Sequence, residues 1–563
     1  MNYCRLVSTR ACLRVLATST LLVWAVCACI AQTGKIHVGM VQDWSHSHTV
    51  VTAGGTPASQ VQAGNNPRLL QNWVMRWHAH QFASPLAQNT SSSSVSLMKT
   101  KRRPHSDWAI NMGGTLSADQ YPAKYSFDIF AIPSCVNDFV VFGLNVNGSV
   151  TQADLIGFNQ LYTGVPGGFC AGAQASTYFA YNTGTKITQS VVLSDDGKLI
   201  AFVDNANPNS SFHVLAWTAN SGTIAAPIAP TVVAAPPGPD QMTSLTLTGR
   251  DTGSAPFYDD VNDVAYVGTT TGRLYRIKNV FCTLPACMST PVAPSIDATF
   301  GSGGFVTAGT KILTSPVYDF ASNNIFVGSS DGKLYGFSVS TGTPITGSPL
   351  TVGSGTVTGG IITPPIVDGF DGVLYVATGD NGANAVVVQT GTANFTSPRT
   401  ASLGQRRVHS IHLPALNDNY YSQATNTPGS PWFLYSCGYD TGSNPFLYRV
   451  GFDASRNMNT TIDAVTLSLG AARDECTAMT EWASGGVDRL YFSMKTQGQV
   501  GYTDITTNPF VPAAPGINDP TAEAGGVSAI IIDNVSPQPQ ASNIYFSNNT
   551  KHQAVKLNQV TLQ

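Results

Sequence analysis

Three stretches of this chain align without gaps. Ser254-Ala255-Pro256-Phe257-Tyr258-Asp259 leads, nine residues beyond its aspartate, into Tyr266-Val267-Gly268. Thr314-Ser315-Pro316-Val317-Tyr318-Asp319 leads at the same spacing into Phe326-Val327-Gly328. Thr363-Pro364-Pro365-Ile366-Val367-Asp368 leads into Tyr375-Val376-Ala377. The aligned aspartates stand 60 and then 49 residues apart, the length of one small sheet with variable outer loops. The first two copies run on together, Gly272-Arg273-Leu274-Tyr275 matching Gly332-Lys333-Leu334-Tyr335.

The unit has a physical reading. Its first strand opens at proline, whose missing N–H matters little at a strand start. The aspartate closes a turn with its own side chain. A second strand follows and ends in a small residue. The turn Ser329-Ser330-Asp331-Gly332 leads into a third strand over 333–339, and Ser340-Thr341-Gly342 turns toward an outer one. A single unit buries too little to stand alone. Units stacked in a ring share a continuous core and hide their edges. Looser copies extend the series over 126–161, 189–217, 409–452, 476–505 and 529–557. The expectation is an all-β propeller of seven or eight blades, eight favoured, over 121–563, with the first or last blade completed by a strand from the opposite terminus.

Composition agrees. Charged residues make up 11% of the chain, against about 25% in a typical soluble domain, and 53 glycines and 33 prolines suit many short turns. Long helices, whose exposed faces carry Glu and Lys, are disfavoured. A formal net charge of −3 lacks the basic footprint of a nucleic-acid binder. The single basic cluster, Lys99, Lys101, Arg102 and Arg103, sits in a Ser-rich stretch.

Residues 1–31 read as a secretory signal, with Arg5, Arg10 and Arg14 ahead of an apolar run, Val15 to Ile30, too short for an ordinary span. Val26-Cys27-Ala28-Cys29 is a weak lipobox that would place an acyl anchor on Cys29. The expected location is periplasmic, cell-surface or secreted, with no transmembrane span in the mature chain. Residues 32–120 form an N-terminal extension with one helix, about 67–81, capped by Asn66 and Pro67, and a flexible linker, about 83–106.

Of the ten cysteines, four fall in the signal. The remaining six, in an oxidising compartment, are disulfide candidates; neighbours are favoured, pairing Cys135 with Cys170, Cys282 with Cys287 and Cys437 with Cys476. None has the CxxC spacing of a zinc site.

The strings Tyr266-Val267-Gly268-Thr269-Thr270-Thr271-Gly272-Arg273-Leu274-Tyr275 and Phe326-Val327-Gly328-Ser329-Ser330-Asp331-Gly332-Lys333-Leu334-Tyr335 resemble the repeats of quinoprotein-like (PQQ-like) β-propellers. The chain is also similar to uncharacterised exported bacterial propellers that carry an N-terminal Asp-Trp element, such as Asp43-Trp44 or Asp107-Trp108. The resemblance implies the propeller and little about activity, because this repeat serves dehydrogenases and envelope scaffolds alike.

Catalytic signals are thin. Quinoprotein dehydrogenases carry adjacent cysteines over the quinone, and the mature chain has none. Only Trp217, Trp432 and Trp482 fall in the propeller, outside the best repeats. His46 and His48 would share a face of a strand as a weak metal candidate, whereas His78 and His80 would diverge on a helix. Asp380, in Asp380-Asn381-Gly382, is a weak candidate for a structural calcium. Other aspartates, Asp195, Asp196, Asp260, Asp331 and Asp371 among them, read as turn formers. Asp474, Glu475 and Glu481 form a local acidic group read as blade turns, short of the paired carboxylates of a glycosidase. No nucleophile elbow, P-loop or dinucleotide fingerprint is present. No cofactor is therefore expected. The leading expectation is a non-catalytic module of the cell envelope or exterior that binds a protein, glycan or envelope component. The alternatives are an enzyme using the central funnel (a quinoprotein-like oxidoreductase, or a hydrolase or lyase) and a structural surface protein.

Overall fold

In the computed structural model the chain is described over residues 41–51, 76, 105–126, 132–164, 168–251, 253–423, 425–469, 471–484, 486–495, 499–506, 526–534 and 541–558. The expected signal, the Cys29 anchor site, His78, His80 and the loop at 83–104 lie outside these residues, as does the 67–81 helix apart from Arg76, which is helical. Among the described residues no helix is long and apolar enough to cross a membrane.

The strands form eight sheets, each following the last along the chain. Their inner strands are Ala123–Ser126, Val192–Leu193, Phe257–Asp259, Val317–Asp319, Ile366–Asp368, Ala415–Leu416, Thr480–Ser484 and Ile531–Asn534, which number blades 1 to 8. From each, the next two strands step outward antiparallel in chain order; in blade 2 the outermost strand, Thr231–Val233, lies parallel beyond Gln241–Thr246. The fold is thus the expected all-β propeller, with eight blades.

The three clear copies are equivalent inner hairpins, with Phe257 opposite Tyr266, Val317 opposite Phe326 and Ile366 opposite Tyr375. Each aspartate accepts the backbone N–H two residues on: Asp259 from Val261 at 3.0 Å, Asp319 from Ala321 at 3.1 Å and Asp368 from Phe370 at 3.0 Å. A hydroxyl before the inner strand ties back to the end of the second strand. Ser254 accepts from Gly268 N–H at 2.7 Å, and Thr314 from Gly328 N–H at 3.0 Å. The looser copies keep the device in Thr477 with Ser493 and Ser528 with Ser547. Gly272 and Gly332 turn at φ +77° and +80°, and a Cβ on Gly272 would meet the Gly309 carbonyl at 2.3 Å.

His105–Asn111 supplies the outer strand of blade 8, antiparallel to Gln553–Asn558, so an early strand closes the ring on the last. This seam carries buried charge. Lys556 Nζ meets Asp107 at 2.9 Å, and Lys124 meets Asp533 at 3.2 Å, all four side chains fully buried. Lys556 also donates to the Thr163 carbonyl at 3.0 Å. The three cysteine pairs are joined as expected, with Cα separations of 5.5, 5.1 and 6.3 Å.

The expected boundary at 120 differs from the structure. Val41–Gln42 pairs antiparallel with the inner strand of blade 5, and Thr49–Val51 pairs parallel with that of blade 1. His105–Asn111 begins inside the expected linker. The reason is backbone satisfaction. Innermost and outermost strands present a free row of N–H and C=O groups, and the N-terminal segments cover the inner edges of blades 1 and 5 and the outer edge of blade 8.

Candidate functional site: a filled channel

A propeller's axial channel is the usual place for a small ligand. Here residues 41–51 fill it. The chain rises along blade 5, turns through the 3₁₀ segment Trp44–His46 and descends along blade 1. Blades 1 and 5 each have four strands without it.

Asp43 caps the 3₁₀ turn, accepting from Ser45 N–H at 2.9 Å and from its hydroxyl at 2.8 Å. Its other oxygen accepts from Tyr421 at 2.8 Å. Burial outweighs these bonds and raises the Asp43 pKa. Gln42 donates to the Tyr318 carbonyl in blade 4. Trp44, at the tip, is buried, 6.2 Å between ring centroids from Phe257 of blade 3 and 5.3 Å from His48. His48 stacks on Tyr121 at 4.7 Å. The segment thereby touches blades 1, 3, 4, 5 and 6.

Among the described residues, a cavity of about 20 Å³ lies at the upper mouth, where the inner strands begin, bordered by Trp44, Asp119, Tyr121, Ser190, Thr363 and Leu413. That is room for about one water.

Beside this mouth sits an imidazolium clamp. His412 Nδ1 lies 2.6 Å from Asp119, its Nε2 lies 3.0 Å from Glu475, and Lys495 meets the other Glu475 oxygen at 2.7 Å. His409 Nδ1 is 3.9 Å from Glu475. With a carboxylate on each ring nitrogen, the His412 pKa is pushed up to about 10 in spite of burial, and that of Glu475 falls to about 2. A ring held in this way is no general base at neutral pH. It ties the lead-in of blade 1 to blades 6 and 7.

Lower in the channel lies a second cluster. Arg76 Nη2 is 2.6 Å from Glu481 Oε2 and 2.8 Å from His46 Nε2, and its Nη1 is 3.5 Å from Asp418. The guanidinium carbon stands 4.0 Å from the Tyr421 ring centroid and 5.6 Å from that of Trp482. Burial and the Arg76 charge drive the His46 pKa well down. His46 is therefore neutral, and its Nε2 accepts from Arg76. Burial together with Glu481 and Asp418 raises the Asp488 pKa strongly. Glu481 Oε1 and Asp488 Oδ1 are both buried without a hydrogen-bond donor. Burial raises the Glu481 pKa as well, and a proton shared between the two carboxyls satisfies both oxygens.

The sequence candidates separate on this map. His46 and His48 do not share a strand face: His46 ends a 3₁₀ turn against Arg76, and His48 stacks on Tyr121. Asp380 is engaged by arginine, with Arg407 Nε at 2.5 Å and Arg406 at 3.7 Å; against burial, Arg407, with hydrogen bonds from Gly382 and Ser354, holds its pKa down to about 2. Two guanidinium groups thus stand where a calcium ion would need the carboxylate. Among the described residues no group of three or more His, Cys, Asp or Glu side chains is arranged to hold a metal. Glu475 and Glu481, expected as turn residues, instead belong to the clamp and to the buried cluster. Arg76, Asp119, His412, Asp418 and Asp488 were not visible as site residues, because none lies in a local motif. The Asp43-Trp44 pair and the His46 and His48 candidates were the sequence signals that fell on the plug.

The eight sheets place the chain in the class of all-β, eight-bladed propellers. No family's sequence profile matches it, and no curated protein does. Among solved structures it is similar to BamB from Moraxella catarrhalis, at 11% identity over 81% of this chain and 100% of that one, with a TM-score of 0.44. The C-terminal WD40 domain of Sif2 aligns at 9% identity over 81% and 98%, with a TM-score of 0.44. The dihydro-heme d1 dehydrogenase NirN, solved in complex with DHE, aligns at 10% over 67% and 63%, with a TM-score of 0.38. The blade count and topology rest on this chain's own sheets.

Proposed function

We propose that this protein is an exported, non-catalytic interaction module of the cell envelope or exterior, working through its loop faces on a protein, glycan or envelope component. The observation that carries the reading is the filled channel. An enzyme of the central funnel needs a concave site of a few hundred Å³, and the mouth cavity here is about 20 Å³. The described charged groups near the axis are engaged with one another. Export is supported by the leader-like sequence of 1–31 and by the pairing of all six later cysteines. Two of the disulfides brace loops on the lower face, where the inner strands end. Those loops present Val136 and Met288, 57% and 68% exposed, on braced backbone that loses little entropy on docking.

The test is site-specific photocross-linking in the producing cell, with the cross-linker at Val136, at Met288 and, on the opposite face, at Val357. Fractionation and thiol labelling accompany it. The reading predicts oxidised protein outside the cytoplasm and a discrete adduct from at least one face. Cytoplasmic protein with free thiols, or no adduct from any position, overturns it.

A further inference from the structure

The surroundings of Arg76 have the chemistry of a receptor. Glu481 and Trp482 stand on the inner strand of blade 7, Asp418 and Tyr421 on the short helix Asp418–Ser422 after that of blade 6, and His46 on the plug. Together they offer two carboxylates, one neutral imidazole acceptor and the face of a buried tyrosine 4.0 Å from the guanidinium carbon. The Arg76 and Glu481 side chains are 5% and 0% exposed. A planar fork of donors fits acceptors at several angles and lays its flat face on an aromatic ring, which a compact ammonium cannot do. The carboxyls belong to the blades, whereas the cation that meets them comes from outside the blades.

A second observation is independent of the cluster. The plug adds a strand to the inner edges of blades that already have four of their own, and the ring is closed elsewhere, by His105–Asn111. Strand addition to a free sheet edge is how an extended peptide binds a sheet. The plug thus has the form of a bound peptide, with the Arg76 guanidinium seated beside it against His46, both held in cis.

We propose that the channel of this propeller is an arginine-recognition site: it selects the guanidinium of an arginine side chain, and in this chain Arg76 fills it. This goes beyond the loop-face reading and does not depend on it.

The experiment uses the full chain with Arg76→Ala and follows thermal unfolding and tryptophan fluorescence, which Trp482 reports. Millimolar ethylguanidinium and arginine capped at both ends are compared with ethylammonium and capped lysine. The cage predicts that both guanidinium probes stabilise the variant and change its fluorescence, at concentrations at least about tenfold below either ammonium probe. The native chain, its cage filled, gains nothing from them. An equal response to the two kinds of cation, an equal response of native and variant chains, or no response overturns the proposal. Should Arg76→Ala fail to fold, Arg76→Lys keeps the charge and takes the same titration. It is predicted to unfold at lower temperature than the native chain and to respond to ethylguanidinium but not to ethylammonium; the same three results count against the proposal.

Discussion

Replacing His412 with glutamine removes the imidazolium from the clamp and leaves a neutral side chain of similar reach. A His412 pKa raised from 6.5 to about 10 corresponds to about 5 kcal/mol of preference for the charged ring in the folded chain. Glu475, drawn down from 4.5 to about 2 by His412 and Lys495 together, registers the clamp from the other side at about 3 kcal/mol. The smaller value is the better measure, because Asp119 is 30% exposed and solvent screens that side of the clamp. The folded pKa lies above the unfolded one. The contribution is therefore fully present below pH 6.5 and is lost as pH rises through about 10. His412→Gln should cost about 3 kcal/mol at pH 6, shrinking to under about 1 kcal/mol near pH 10.5. Urea unfolding of both proteins across that range, disulfides intact, measures it. A difference that stays constant with pH, or grows toward pH 10, refutes the assignment of an imidazolium between two carboxylates.

Lys556→Met at the closing seam strands the buried Asp107 carboxylate and should cost about 3–5 kcal/mol, with much of the loss recovered when Asp107→Leu is added; a double-mutant cycle in urea reads the coupling. Trp44→Ala empties the tip of the plug and should lower stability by about 3–5 kcal/mol, checked by the same unfolding curves. Calcium or a chelator should leave the melting temperature unchanged, because Arg406 and Arg407 already engage Asp380; a calcium-dependent rise above about 1 °C counts against that reading.

The blades were legible because their signals are local. Asp259, Asp319 and Asp368 close turns on residues two positions ahead, and the hydroxyls of Ser254 and Thr314 reach only 14 residues along the chain. The disulfides, too, join cysteines that are neighbours in the series. The plug was hidden for the opposite reason. Val41–Gln42 and Thr49–Val51 are too short to show alternation, and Gln42 finds its partner 276 residues away. The clamp spans 293 residues between Asp119 and His412. Glu481 was grouped with Asp474 and Glu475 as a blade turn, whereas Thr480–Ser484 is an inner strand wholly buried beside the plug. A channel-facing position rewards a polar side chain only when a distant segment arrives to meet it, and nothing in the local sequence records that arrival.

Amide hydrogen exchange over residues 41–51 tests the filled channel most directly. Backbone pairing with blades 1 and 5 predicts protection of Val41, Gln42 and Thr49 to Val51 in the same class as Ile366–Asp368, with Trp44 shielded alongside. Exchange of this segment at the rate of an unstructured peptide, while the blades stay protected, would contradict it and leave the channel open.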